Sequence, residues 1–333
     1  MVRLSALQPT ATSRHFQRHV THRRAVVMMI AVTLMWSVAG VVVRQLETTR
    51  SFEVTFWRSI FTVVALAILL SWLRGPKPLM QSLRAGSRTL WVSGLCWAVM
   101  FTAFMLALTL TTTANVLVTM AISPLLTAVI SWAVLGQRLV ARTWVAIVSA
   151  GIGIAWMYAH EVSGSDARHL LGTVVALGVP VAAAINWTVL QHSRNIANLE
   201  LLPAVLIGAV ISALVTLPLS MPFAASAHDL ALLALLGVVQ LSIPCLMSVV
   251  AARSLSAPEA SLLALLEVIF GVAWAWWGAD ETPAAHVLGG GALVLAALAT
   301  NEALALRRLS GIIGGRPDHS DHSDHSDHSD HSD

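Results

Sequence analysis

Ten stretches of about twenty apolar residues run through this chain between Ala25 and Leu306, separated by short polar gaps. A helix needs roughly 20 apolar residues to cross a hydrocarbon core about 30 Å thick. In lipid, only helices and closed barrels satisfy every backbone polar group internally. The stretches cover residues 25–43, 54–73, 89–110, 113–135, 142–158, 170–190, 201–220, 229–252, 259–278 and 285–306. They predict an all-α polytopic membrane protein with ten transmembrane helices and both termini on one side.

The charges predict which side. Gaps on the N-terminal side hold sixteen cations: Arg3, Arg14, Arg18, Arg23, Arg24, Arg74, Lys77, Arg84, Arg88, Arg138, Arg142, Arg194, Arg253, Arg307, Arg308 and Arg316. The opposite gaps hold only Arg44, Arg50 and Arg168. By the positive-inside rule both termini are cytoplasmic. Glu47, Glu53, Glu161, Asp166, Asp229, Asp280 and Glu281 fall on the outer side, where acids weigh little in that rule.

Composition removes other classes. With 56% apolar and 11% charged residues, no block is hydrophilic enough for a soluble domain. The cations are juxtamembrane and suit insertion and an anionic lipid bilayer, so they imply no nucleic-acid partner. Cys96 and Cys245 both lie inside apolar stretches, which suggests neither a disulfide framework nor a thiolate metal site. The first stretch follows a 24-residue basic leader without a small-residue cleavage site and reads as a retained helix.

The chain also repeats itself. Shifting it by 144 residues lays Thr112-Thr113-Ala114-Asn115-Val116-Leu117 on Ser256-Ala257-Pro258-Glu259-Ala260-Ser261, Ser123-Pro124 on Glu267-Val268, and Trp132 on Trp276. The fourth and ninth segments are then counterparts five helices apart. An odd repeat of five must insert in opposite senses, which gives two inverted five-helix repeats. The boundaries read as a basic N-terminus 1–24, a first repeat 25–158, an external loop 159–169, a second repeat 170–306 and a tail 307–333. Inverted repeats around a midplane site are the architecture of alternating-access transporters.

On these residues the chain resembles the drug/metabolite transporter superfamily, specifically its EamA-type members. The resemblance is carried by ten short spans in two halves, by Phe56-Trp57-Arg58, and by Ser123-Pro124-Leu125 with Leu135-Gly136-Gln137-Arg138-Leu139. Leu265-Leu266-Glu267-Val268 is similar to the family's Leu-Glu-Pro turn, and Leu288-Gly289-Gly290 to its glycine-rich last helix. The family often has Glu where Gln137 stands and Pro where Val268 stands. That second departure makes Pro124 a better hinge candidate than the ninth segment. The resemblance implies an inner-membrane carrier exporting small metabolites, such as amino acids, or amphipathic toxic compounds. It requires no cofactor.

Polar residues within the spans carry the site information. A charge at mid-helix costs at least about 2.5–3.5 kcal/mol and normally faces a cavity or a partner. Glu267, nine residues into its segment, shares a helix face with Leu263, Phe270, Gly271 and Trp274. It would bind a proton or a substrate ammonium, or else fix packing by a hydrogen bond. Arg58 would snorkel along its aliphatic stem to the outer interface, pair with Glu53, or gate. Trp36 and Ser37 fall near Asn186 and Trp187 at an offset of about 150, a pairing that would build a pocket floor and an aromatic wall. Asn115 and Gln240 would add hydrogen bonds, either to substrate or between helices. Trp57, Trp72, Trp91, Trp156, Trp276 and Trp277 sit near span ends as interface anchors. Pro124, Pro180 and Pro244 interrupt helical hydrogen bonding and mark rocking points.

The Asp/His/Ser tail from Asp318 brings His319, His322, His325, His328 and His331. Histidines alternating with carboxylates can bind Zn²⁺, which keeps a divalent-metal transporter or sensor as the alternative to a disordered extension. No Ser/His/Asp, His-Glu-x-x-His or paired-carboxylate arrangement lies at membrane depth, and no Walker motif occurs, so the sequence predicts neither an enzyme nor ATP-driven transport. Energy would come from a proton or solute gradient, with facilitated diffusion open. A homodimer is compatible with the apolar surface.

Overall fold

The computed structural model describes residues 21–48, 51–136, 167–193 and 201–278, together with parts of 141–156 and 284–300. All regular structure among them is helical. Eight helices are long and apolar enough to cross a membrane: α1 (His22–Arg44), α2 (Ser51–Arg74), α4 (Arg88–Leu110), α5 (Thr113–Leu135), α6 (Ala167–Ser193), α7 (Leu202–Ser220), α8 (Ala227–Ala251) and α9 (Ala257–Gly278). A short helix, α3 (Pro76–Ala85), joins α2 to α4. The eight match eight of the ten predicted segments to within three residues at each end. The fifth and tenth segments, most of the N-terminus and external loop, and the histidine tail lie wholly or partly outside the described residues.

Local chemistry sets the helix ends. Ser87, Thr112, Ser226 and Ser256 each accept a hydrogen bond from the backbone N–H three residues on, satisfying a donor that the first turn leaves unpaired. Ser256 and Glu259 complete a reciprocal capping box. Gly75, Gly86 and Gly136 end α2, α3 and α5 with positive φ, where a Cβ would be strained.

Five helices are irregular near mid-depth. Turns interrupt α1 at Val38, α5 at Ala121–Ile122, α6 at Leu177 and α9 at Leu265, and α8 carries a π-helical stretch, Leu236–Ser242. Three of these irregularities lie just before Pro124, Pro180 and Pro244. The ninth segment, where Val268 stands in place of the family's Pro, is also interrupted, at Leu265 and without a proline. Backbone bonds from Leu265 to Leu262 and from Val268 to Leu265 tighten that turn without one.

The fourth and ninth segments are built alike. In α5 an eight-residue helix (Thr113–Met120) precedes a thirteen-residue one (Ser123–Leu135); in α9 the pieces are Ala257–Ala264 and Leu266–Gly278, also eight and thirteen. Each first piece packs on the other helix's second piece, so the two helices cross antiparallel at their breaks.

Two apolar clusters fill opposite ends of the bundle. One holds Met29, Leu66, Leu70, Trp97, Trp187, Cys245 and Leu255. The other holds Val43, Val54, Leu108, Leu117, Leu236 and Val268. Along α1, α2 and α8, Trp36, Arg58 and Gln240 lie between the buried members of the two clusters, whereas Glu267 of α9 follows Leu265 within the second. Outward-facing Val64, Ile68, Leu95, Leu214 and Val215 form the apolar jacket that lipid requires. Trp72, Trp91, Trp156, Trp276 and Trp277 are at least half exposed, as interface anchors should be. Trp57 differs: it packs among Phe56, Phe61 and Phe223.

Candidate functional site

Four of the irregular helices, α1, α5, α6 and α9, converge with α4 on a cavity of about 70 Å³. Its wall is built by Trp36 of α1, Trp97 and Met100 of α4, Met120 and Ser123 of α5, Pro180, Asn186 and Trp187 of α6, and Ser261 and Glu267 of α9. Five of the residues singled out in the sequence are therefore brought together: Glu267, Trp36, Asn186, Trp187 and Pro180. The breaks explain why. A turn that swings a helix axis exposes backbone and side chains to the interior, and such irregular backbone is stable in a membrane only where protein or a cavity covers it.

Glu267 is 6% exposed, two residues beyond the turn at Leu265. Its carboxylate lies within electrostatic reach of the Arg58 guanidinium. Arg58 itself is buried within the bundle at 1% exposure, so it does not reach an interface by snorkelling. Its guanidinium stands 5.8 Å from the Phe101 ring centroid, a cation–π distance, and Phe101 continues to Trp97 in the cavity wall at 5.5 Å. The Nε and Nη1 donors of Arg58 have no hydrogen-bond partner among the described residues. Nor does Glu53 pair with it: Glu53 accepts from the Ala224 and Ala225 backbone N–H groups at 2.9 and 2.8 Å, and from the Trp57 indole at 3.3 Å.

Asn186 is fixed by Ser93, whose hydroxyl donates to Oδ1 at 2.7 Å. That bond ties α4 to α6 and orients the amide at the cavity edge. Ser123 and Thr127 of α5 meet Ser261 of α9 at 3.3 and 3.2 Å, so small hydroxyls cement the crossing beside Glu267. Gln240 stands behind the wall. Its Nε2 donates to the Trp36 carbonyl at 3.0 Å, occupying an acceptor at the break in α1.

The remaining candidates lie elsewhere. Asn115 is buried in the first turn of α5, where Nδ2 donates to the Thr111 hydroxyl at 3.1 Å. Trp274 is 40% exposed and packs edge-to-face with Trp277 away from the cavity. Pro124 sits just past the α5 break, next to Ser123 in the wall. His319, His322 and His325 fall outside the described residues, and the described residues contain no cluster of metal-ligating side chains.

Trp97, Met100, Ser93 and Ser261 do not stand out in the sequence. Trp97 is flanked by apolar residues in a wholly apolar stretch, and serines serve as packing residues throughout membrane helices. Only the four-residue step from Ser93 to Trp97, which places both on one face of α4, hints at a shared surface.

The EamA-like transporter family matches residues 23–159. One solved crystal structure superposes with a TM-score of 0.60, covering 86% of this chain and 100% of its own at 17% identity, which shows a shared fold. No curated protein matches the sequence. With eight helices long and apolar enough to cross a membrane among the described residues, the chain is a multi-pass membrane protein, and its residues 23–159 match the EamA-like transporter family.

Proposed function

We propose that the protein is a secondary transporter that exports small organic metabolites, amino acids or amphipathic compounds, across the inner membrane by alternating access. Ten spans in two inverted five-helix repeats, with both termini cytoplasmic, form its scaffold. The observation that carries this reading is the antiparallel crossing of α5 and α9, two helices broken at equivalent points with Glu267 just past the break, in the wall of the cavity. Equivalent broken helices of opposite sense are what an inverted repeat requires, and their breaks free polar groups where a substrate can use them.

The cavity's size supports a moving carrier. About 70 Å³ holds a few waters at most, whereas small-molecule sites measure roughly 300–1,000 Å³. The helices must part for a metabolite to enter, and the irregular turns in α1, α5, α6, α8 and α9 are where they would bend. Glu267 would take a proton or the substrate's ammonium, with Trp36, Trp97 and Trp187 supplying aromatic faces.

The test compares metabolites released by cells overproducing wild type, Glu267→Gln, or an empty vector. A compound enriched outside with wild type alone supports both export and the carboxylate's role. Enrichment that survives Glu267→Gln removes that role, and none in any strain sinks the exporter reading.

A further inference from the structure

At the end of the bundle that the charge bias makes external, two buried carboxylates join loops from opposite halves of the chain. Asp229, at the start of α8, is 0% exposed. Its Oδ1 accepts from the Glu47 backbone N–H at 3.0 Å. Its Oδ2 accepts from the Thr48 backbone N–H at 3.0 Å and from the Thr48 hydroxyl at 2.8 Å. The Thr48 oxygen in turn accepts from the Ser226 N–H at 3.2 Å. Glu53, also 0% exposed, reaches the other way from the start of α2 to the Ala224 and Ala225 N–H groups. Phe223, between these contacts, stacks on Phe56 at 5.3 Å.

Such a network does little for either side alone, because its bonds cross from Glu47, Thr48 and Glu53 to residues 224–229. A carboxylate needs several donors when it is buried, and bonds to an ionised acceptor are about twice as strong as neutral ones. Each loop supplies what the other lacks: one side offers backbone donors and receives a carboxylate, and the reverse holds a few residues on. Beside the latch a vestibule of about 330 Å³ is open, lined by Val43, Leu46, Ser51, Val54 and Thr109. A solvent-sized space thus reaches this end of the bundle, while the central cavity stays small. The opposite end is held differently. There His22 meets Glu259 at 3.1 Å with both side chains substantially exposed, and the Gln191 side chain accepts from the Ala257 N–H at 2.7 Å.

We infer that the Glu53–Asp229 latch is the external gate of the pathway, the closure that must part for the central cavity to face outward. This rests on the alternating-access reading and the orientation given above.

Access can be read without knowing the substrate. In a background carrying Cys96→Ala and Cys245→Ala, Ala183→Cys places a reporter thiol in the cavity wall. Intact cells are exposed to a membrane-impermeant maleimide. Loosening the latch with Glu53→Gln and Asp229→Asn is expected to raise external labelling about tenfold, equivalent to about 1.4 kcal/mol of closed-state preference. Locking it with an oxidised Thr48→Cys, Ser226→Cys pair should remove labelling until reductant is added. Should the loosened variant fail to fold, the locked pair carries the test alone. Unchanged labelling on loosening, or labelling that persists in the locked protein, overturns the gate. If the transport reading were wrong instead, labelling would respond to the latch while the metabolite comparison stayed flat.

Discussion

Gly237 is the position where the packing makes the sharpest demand. It is the second residue of the π-helical stretch of α8 and packs against α2. A Cβ there would lie 2.6 Å from the Arg58 carbonyl oxygen, 2.7 Å from the Phe61 Cβ and 3.0 Å from the Thr62 backbone nitrogen. Two of these neighbours are backbone, so no rotamer change relieves the clash. Ordinary contact begins near 3.4 Å, and α2 and α8 must separate to reach it. Overpacking of this kind costs about 1–3 kcal/mol. Separation also stretches the bond from the Thr62 hydroxyl to the Gly237 carbonyl, now 3.2 Å, which contributes about 0.5–1.5 kcal/mol. Against this, replacing Gly by Ala gains up to about 1 kcal/mol of helix propensity. The net expectation for Gly237→Ala is a loss of about 1–3 kcal/mol. For a chain of this size each kcal/mol shifts Tm by roughly 2 °C. Thermal unfolding in detergent, followed by intrinsic tryptophan fluorescence, should therefore show a drop of several degrees. Gly151→Ala and Gly289→Ala are the controls: neither added Cβ meets an atom of a described residue within 4 Å, so both should leave Tm unchanged or slightly raised. A Gly237→Ala protein that melts with wild type would refute the claim that backbone contact sets the spacing of α2 and α8.

The remaining predictions address the site and the tail. Asn186→Ala should cost about 1–3 kcal/mol, because it strands the buried Ser93 hydroxyl. A double-mutant cycle with Ser93→Ala should show coupling of at least about 0.5 kcal/mol, and additive losses would break the proposed α4–α6 tie. Deleting the tail after Gly315 should leave metabolite release and zinc tolerance unchanged. Zinc sensitivity that appears on deletion would instead favour the metal reading.

The fold is legible in the sequence wherever the bilayer dictates it, and illegible where the bilayer leaves it free. The eight described spans follow their predicted limits closely because lipid sets both the length and the composition of a crossing helix. Pro124, Pro180 and Pro244 likewise announce their irregularities, since a missing N–H cannot be hidden. The break at Leu265 has no such mark. It exists because α9 must cross α5 at a point where both turn, a condition imposed by a partner helix far away in the chain.

The same division runs through the site. Glu267 is conspicuous as a carboxylate in an apolar stretch, and the paired Trp36 and Trp187 stand out against aliphatic neighbours. Trp274, on the same stripe as Glu267, points away from the cavity, because periodicity fixes a residue's face but not the depth at which other helices cover it. Arg58 has the spacing of a snorkelling anchor by its distance from a span end. Yet the bundle closes around α2 and holds its guanidinium against Phe101.

That this chain crosses a membrane many times, where most crossings begin and end, and which few polar residues need an explanation all follow from the order of its amino acids. They follow because the cost of exposing polar groups to lipid is set residue by residue. Folding in three dimensions adds what that order leaves open. It gathers five of those residues around one cavity, sets Gln240 against a broken helix behind the wall, and uses Glu53 and Asp229 to bind opposite loops. Those outcomes depend on which helix packs beside which, and packing energy belongs to pairs of surfaces that no local stretch of sequence contains.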